Sequence, residues 1–451
     1  MGQVEAMTRQ MLDIRAIEAR APRYTSYPPA TRFHDGVGPD AALGWLGAVP
    51  PGSRISLYVH IPFCRRLCWF CACRTQGTRS TAPLLSYLDA LEDEIALIAD
   101  ALPPDVTVAH LHLGGGTPTL LPAEAMARLF AMLEARFPRA PGAEVSVEVD
   151  PTELDAARLD ALAEAGLTRA SLGVQDFDSA VQAAIGRPQS FAQTAAAVNG
   201  LRARGISAIN LDLLYGLPHQ SVKTIDRTLD QALSLIPDRV ALYGYAHVPW
   251  ASKRQVMIEA DALPDAHARL ELARRAADRM REAGYAAVGI DHFARPADPM
   301  AIAARAGTLR RNFQGYTTDR AEVLIGLGAS SISRLPQGYL QNAARTGDWK
   351  ARVQRGRPAV ARGYALTNRD RLVGEVIERL LCDFAVDPTA FPDRQSVAEL
   401  TARAALHWPE AVIRTRTGAL RIRDEALHLA RMVALAMDAE PVPTGRHSTA
   451  I

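Results

Sequence analysis

The sequence predicts an α/β fold: a partial (β/α) barrel, with an N-terminal arm before it and a smaller, mostly helical C-terminal domain after it. Three observations predict this. From about residue 54, short apolar β-like runs alternate with alanine- and leucine-rich amphipathic segments every ~30–40 residues, the pattern of βα units on a parallel sheet. Each run ends in a polar or glycine-rich cluster. The rhythm stops after about residue 300.

Residues 1–50 open with a helix-like start. They continue as "APRYTSYPPATRFHDG", whose prolines and aromatics suit an irregular arm. Residues 51–300 carry the barrel. Its runs are "RISLYVHI", "VAHLHLGGG", "AEVSVEVD", "RASLGVQ", "SAINLDLLYGLP", "RVALYGYAHV" and "YAAVGIDHF". Six or seven such units suit a full or partial barrel, and a doubly wound open sheet is the alternative. In both architectures active sites gather at the C-terminal ends of the strands. The endings "HIPFC", "GGGTP", "EVDP", "GVQDF", "NLDLLYGLP", "YAHVP" and "GIDHF" therefore predict one site collected from many strands. Turn-forming glycine or proline and helix-capping aspartate would explain any one ending, but seven together much less well.

Residues 301–451 form the C-terminal part. "RLVGEVIERLLCDF" reads as an amphipathic helix in which Cys382 is a core residue. "AVIRTRTGALRIRDEALHLARMVALAMD" reads as a hairpin with a Thr-Gly turn followed by a helix, which is a winged-helix-like shape. The formal net charge of +2 gives no polyanion footprint, so the module is expected to pack and not to bind nucleic acid. No apolar run approaches the ~18 residues of a membrane span, and no apolar leader stands at the N-terminus. A cytoplasmic location is expected. In a reducing cytosol, clustered cysteines are metal ligands or catalytic groups sooner than disulfides.

The cluster is "CRRLCWFCACR", residues 64–74, which holds four of the chain's five cysteines at the spacing C-x3-C-x2-C-x-C. Zinc usually takes two separated pairs. Three thiolates can hold three corners of a [4Fe–4S] cube and leave the fourth iron open to a ligand. Spacing alone leaves open which three of Cys64, Cys68, Cys71 and Cys73 would serve.

"CRRLCWFC" resembles the cluster motif of the radical S-adenosylmethionine (SAM) enzymes, whose fold is a full or partial βα barrel. "PRYTSYP" (22–28), "YVHIPFC" (58–64), "GGGTPT" (114–119), "EVDP", "GVQDF", "DLLYGLP", "YAHVP", "DHFARP" and "RNFQGYTT" (311–318) together resemble the oxygen-independent coproporphyrinogen III oxidases. The match runs in order from about residue 20 to 385 and more loosely to 440. The resemblance implies a [4Fe–4S] cluster on Cys64, Cys68 and Cys71, with Cys73 not a ligand, and two molecules of SAM. It implies contacts to SAM from Tyr58, Phe70, Gly115, Gly116, Thr117, Glu148, Gln175, Arg187, Asp212, Ala246 and Ile332.

The implied reaction converts two propionates of coproporphyrinogen III to vinyl groups in haem biosynthesis. A deoxyadenosyl radical takes a β-hydrogen, and carbon dioxide and one electron then leave. The partners implied are a tetrapyrrole and an electron donor and acceptor of unknown identity, with the protein a monomer. The propionates call for guanidinium forks, and Arg23, Arg32, Arg310 and Arg311 are the candidates. Ala72 departs from the glycine common in the family. Three rival readings are a haem-binding chaperone on the same barrel, another radical SAM enzyme of tetrapyrroles and a zinc-dependent nucleic-acid-binding protein. Cys73 and the tyrosine-rich arm weigh against the chaperone.

Overall fold

The computed structural model describes residues 21–438. The helix-like start expected within residues 1–20 lies outside them. Seven parallel strands form the centre of one twelve-stranded sheet. In chain order they are β1 (Arg54–Ile61), β2 (Thr107–Gly115), β3 (Arg139–Val149), β4 (Arg169–Gln175), β5 (Ala208–Tyr215), β6 (Arg239–Gly244) and β7 (Leu324–Leu327). Their spatial order is β7-β1-β2-β3-β4-β5-β6. Antiparallel strands extend both sides: Ile332–Leu335, Gly338–Asn342 and Val360–Ala365 beyond β7, and His292–Ala294 with Ala286–Val288 beyond β6. The order runs from edge to edge without closing, so the barrel is partial.

Two expectations change. The run "YAAVGIDHF" is not a seventh βα unit but an antiparallel hairpin, Ala286–Val288 with His292–Ala294. Only three residues separate its strands, and Gly289 at φ +60° lets the chain reverse. The seventh parallel strand is β7, which pairs with β1 through Ser56–Leu324 to Val59–Leu327. The expected division at residue 300 thus cuts across the sheet, which continues to Ala365.

The helices lie outside the sheet because each carries one apolar face. In Ala82–Ala101, Leu84, Leu88, Leu91, Ile95 and Ile98 recur at helical spacing and are buried against β1 and its neighbours. Ser190 with Gln193, and Ser221 with Thr224, close capping boxes that start Phe191–Arg202 and Val222–Ser234. A second apolar cluster is built chiefly from residues 373–437 and takes in Tyr24 and Tyr27 of the arm. Both arm tyrosines donate to Asp438, at 3.2 and 2.9 Å, and Arg32 pairs with the same carboxylate. The C-terminal hairpin is Val412–Arg414 with Leu420–Ile422, and Ala385–Val386 adds a third strand.

The helix Ala82–Ala101 also locks β7 in place. Glu94 accepts from the Gly328 N–H, Asn342 Nδ2 and Trp349 Nε1 at 2.6, 2.7 and 2.9 Å. One helical repeat earlier, Tyr87 donates to the His60 carbonyl and accepts from the Ala329 N–H. Burial pushes the Glu94 carboxyl up to about 7 in spite of its three donors. The folded chain then holds this proton more tightly than the unfolded chain, whose group titrates near 4.5. Its contribution to stability is greatest below that pH and falls as pH rises through 7. Glu94→Gln should remove this slope. It should also lower stability at pH 6 by about 1–3 kcal/mol, because an amide nitrogen would face a buried N–H donor. Urea unfolding from pH 5 to 8 measures both, and an unchanged slope would contradict the assignment.

Candidate active site

The inner face of the sheet is polar at a period of two. Ser56, Tyr58 and His60 on β1 alternate with Ile55, Leu57, Val59 and Ile61, all buried against the helices. The same alternation places His110 and His112 on β2, Ser146 and Glu148 on β3, Ser171 on β4 and Asn210 and Asp212 on β5. Cross-strand register makes Tyr58–His112, His112–Ser146, Glu148–Ser171 and Ser171–Asn210 neighbours. The Tyr58 ring stacks on His112, with centroids 5.8 Å apart, and its hydroxyl meets His60 Nδ1 at 3.0 Å. His112 bonds Ser146 Oγ at 2.7 Å through Nδ1 and lies 3.5 Å from Glu148 Oε1 through Nε2. Asp212 accepts from Ser171 at 3.0 Å and from Asn210 at 2.8 Å.

Charge sorts the two carboxylates. Burial opposes ionisation of Glu148. The His112 hydrogen bond and charge, with the Gly115 N–H at 2.9 Å, outweigh burial and hold the carboxyl below its ordinary range. Burial and the nearby Glu148 charge push Asp212 up to about 6, although Ser171 and Asn210 donate to it. Two carboxylates of different acidity thus share one polar wall.

The cysteine loop sits over the C-terminal rim of this wall. Phe63–Cys64 pairs with Gln76–Gly77 and ties the two ends of the loop together. Trp69 N–H donates to the Ile185 carbonyl, and Trp69 and Phe70 pack on Val181, Ile185, Leu217, Tyr245 and Ile258. From the segment after β6, Ser252 Oγ donates to the Cys71 carbonyl at 3.0 Å and Gln255 Nε2 to the carbonyls of Phe70 and Ala246 at 2.8 and 3.0 Å. Arg187 donates to Cys68 Sγ at 3.3 Å and to the Gly173 carbonyl at 2.8 Å, and lies 3.5 Å from Asp150. The Cys73 N–H points at Cys71 Sγ, 3.4 Å away. Burial pushes the Cys64 thiol up to about 11, while the Cys73 hydrogen bond pulls Cys71 down.

This donor set fits a [4Fe–4S] cluster. Each thiolate of a cube holds its own iron, so the three need not converge on one point as zinc ligands do. Among the described residues, no three His, Cys, Asp or Glu side chains converge in that way. Cys68 is buried with the Arg187 guanidinium against its sulfur, whereas Cys73 is exposed.

The glycine run brings two stretches of main chain together. Its small residues admit the neighbouring chain at close range. Gly116 N–H donates to the Ile61 carbonyl at 2.9 Å, and Thr117 N–H to the Phe63 carbonyl at 2.8 Å. A Cβ on Gly116 would stand 2.5 Å from the Phe63 oxygen. One on Gly115, at φ +106°, would stand 2.4 Å from the His60 ring.

The remaining expected residues reach the same rim. Gln175 ends β4 at φ +70°, strained for a non-glycine residue, and a Cβ on Gly173 would touch both its Nε2 and Arg187. Ile332 opens the antiparallel strand beyond β7, its carbonyl beside Gly326, which pairs with Tyr58. The arginine candidates divide. Arg32 is bound to Asp438, and Arg310 makes a two-pronged pair with Glu378 at 2.8 and 3.3 Å. Arg23 and Arg311 lie together at the end of β6. Arm residues 24–27, Arg310–Asn312 and the helix Asn368–Asp383 line a cavity of about 460 Å3. His112, Ser146, Ser171 and Asn210 were not singled out from sequence. Their signal was the period-two polarity inside strands expected to be apolar on both faces.

An open barrel with a tethered cysteine loop above a polar inner wall is the architecture of a radical SAM protein. A family model described as "Radical SAM superfamily" matches residues 58–232. Over 98% of its length, the chain is 52% identical to the oxygen-independent coproporphyrinogen III oxidase of Paracoccus denitrificans, covering 99% of that protein. It is 49% identical to the Cereibacter sphaeroides enzyme of the same name, over 96% of this chain and 97% of that one. The solved coproporphyrinogen III oxidase of Escherichia coli, a radical SAM enzyme, superposes with a TM-score of 0.88 at 36% identity, covering 92% of this chain and 97% of that one. The chain belongs to the oxygen-independent coproporphyrinogen III oxidase family. Membership brings a [4Fe–4S] cluster and SAM.

Gly116→Ala tests the contact on which the loop depends. It should cost about 1–3 kcal/mol through overpacking, and it should lower the iron retained per chain after anaerobic reconstitution. Wild-type iron content with wild-type stability would show that the approach is not constraining.

Proposed function

We propose that the chain carries out the oxygen-independent oxidation of coproporphyrinogen III to protoporphyrinogen IX. The observation that carries this reading is the cysteine loop, with Arg187 at Cys68, held over the polar wall of Tyr58, Glu148 and Asp212 in a chain 52% identical to an enzyme of that name. Cys64, Cys68 and Cys71 hold the cluster, and Cys73 stays a free thiol. Once bound, the cluster and SAM supply a radical that takes a hydrogen from the β-carbon of a propionate. Losing that hydrogen, carbon dioxide and one electron leaves a vinyl group.

The chain's own residues bind, orient and exclude water. Ionised Glu148, fixed by the Gly115 N–H and His112, accepts from an ammonium or a ribose hydroxyl. Asp212, pushed up to about 6, offers a second and less charged acceptor on the same wall. Gly115, Gly116, Thr117, Gln175, Arg187, Phe70, Ala246, Tyr58 and Ile332 contact SAM, of which the site takes two molecules. The protein works as a cytoplasmic monomer that draws its electron from a separate donor. No helix among the described residues is long and apolar enough to cross a membrane.

An anaerobic assay tests the reading. The protein is reconstituted with iron and sulfide and given SAM, a reductant, coproporphyrinogen III and cell extract as the source of the final acceptor. Protoporphyrinogen and 5′-deoxyadenosine should both appear. Cys64→Ser, Cys68→Ser and Cys71→Ser should each abolish both products and lose the cluster, while Cys73→Ser should retain its iron. Deoxyadenosine without vinyl product would move the substrate elsewhere, and neither product from an intact cluster would overturn the enzymatic reading.

A further inference from the structure

The end of β3 and the cysteine loop are joined through one carboxylate. Arg66 lies between Cys64 and Cys68 in the chain. Its guanidinium donates to the Pro188 carbonyl at 2.5 Å and to Thr152 Oγ1 at 2.8 Å. Thr152 Oγ1 in turn donates to Asp150 Oδ1 at 2.8 Å, and the Thr152 N–H donates to the same oxygen at 3.0 Å. Arg66 Nη2 itself stands 3.8 Å from Oδ1. The other carboxylate oxygen, Oδ2, faces Arg187 Nη1 at 3.5 Å, and that same nitrogen donates to Cys68 Sγ at 3.3 Å. Arg187 Nη2 is taken up by the Gly173 carbonyl at 2.8 Å. The Asp150 and Arg187 side chains are only 12% and 10% exposed, so their charges act on each other with little screening by water. Asp150 thus stands between two guanidiniums, one inside the cysteine motif and one against its buried sulfur.

A lone guanidinium against a ligand sulfur would make an iron–sulfur cluster a weaker reductant. Positive charge and N–H···S bonds both stabilise the added electron and raise the potential. Breaking the C–S bond of a sulfonium calls for a strong reductant. We propose that Asp150 is a positioning residue that shares Arg187 with Cys68 and offsets its charge, so that the contact to the sulfur is kept while the potential of the bound cluster stays low. The inference rests on the reading that Cys68 holds the cluster. Asp150 is built for this part because its carboxylate is fixed from behind. Thr152 and Arg66 occupy Oδ1 and leave Oδ2 to Arg187. Glu153 offers the contrast. It faces Arg65 at 3.8 Å, and Arg65 donates to the Thr78 carbonyl and not to a thiol.

The test reads the midpoint potential of the reconstituted cluster, without SAM, by an anaerobic titration followed by electron paramagnetic resonance. Asp150→Asn should move the midpoint to more positive values and Arg187→Gln to more negative ones. Each shift should change the reduced-to-oxidised ratio at a fixed potential by about tenfold, which is ~59 mV for one electron. The double variant Asp150→Asn, Arg187→Gln should return close to wild type, because the two charges leave together. Glu153→Gln removes the same charge three bonds of main chain further on, beside Arg65, and should move the midpoint far less. Iron content and urea midpoint report on assembly and folding. If Asp150→Asn takes up no cluster, the double variant carries the test, and it should lie positive of Arg187→Gln. No shift in a fully loaded Asp150→Asn protein would overturn the proposal. So would a negative shift, or a Glu153→Gln shift of equal size. A wild-type protein that takes up no cluster would instead sink the reading of Cys68 as a ligand.

Discussion

The contact between the glycine run after β2 and the strand leading into the cysteine loop is the constraint on which the site depends. Two backbone hydrogen bonds, Gly116 to Ile61 and Thr117 to Phe63, bring the main chains so close that a single methyl group would not fit. This contact decides where Cys64 starts and which way the loop leaves the sheet. The neighbouring Gly115 N–H fixes Glu148, and the space a Gly115 side chain would fill holds His60. One stretch of bare backbone therefore sets the position of the thiols, the ionised carboxylate and the base of the loop relative to one another.

A second constraint follows from the first. A loop carrying four thiols over a sheet is useful only if the space beneath can accept polar matter. Buried parallel strands are ordinarily apolar on both faces. Here the outer residues keep that rule and the inner ones break it, so that Tyr58, His112, Ser146, Ser171, Asn210 and Asp212 answer one another across strands. The network is well supplied with donors and acceptors, which lets it stay buried without heavy cost. The barrel remains open because its last parallel strand, β6, pairs with a hairpin instead of returning to β7. The gap leaves a side on which the arm, the C-terminal helices and the hairpin at Arg310–Asn312 can pack.

Much of this was legible in the sequence because it is local. The β-like runs alternate with helical segments, the four cysteines sit within ten residues, and the run endings mark the rim. What was not legible depends on pairing across distance. The strand β7 is four residues long and follows a stretch with no βα rhythm, so nothing local marks it as the partner of β1. "YAAVGIDHF" has the composition of a strand, but its glycine at φ +60° divides it into two. In the glycine run, sequence shows that side chains are missing but not that the Phe63 carbonyl and the His60 ring fill the room they leave. The four propionate candidates looked equal in sequence. The structure separates Arg32 and Arg310, each paired with an acid, from Arg23 and Arg311.

Arg269 shows the same limit most sharply. It lies on a helix whose arginines read as a solvated face, and nothing in that segment singles it out. Only the fold brings Arg269 to the end of β6, at the Tyr245 carbonyl. The arm and the hairpin reach the same side because Tyr24 and Tyr27 anchor the arm in the C-terminal core, and because Glu378 grips the hairpin through both the Arg310 side chain and the Arg311 N–H. The open side of the barrel is therefore not closed by apolar packing alone. The arm and the hairpin are also tied by ion pairs, Arg32 with Asp438 and Arg310 with Glu378.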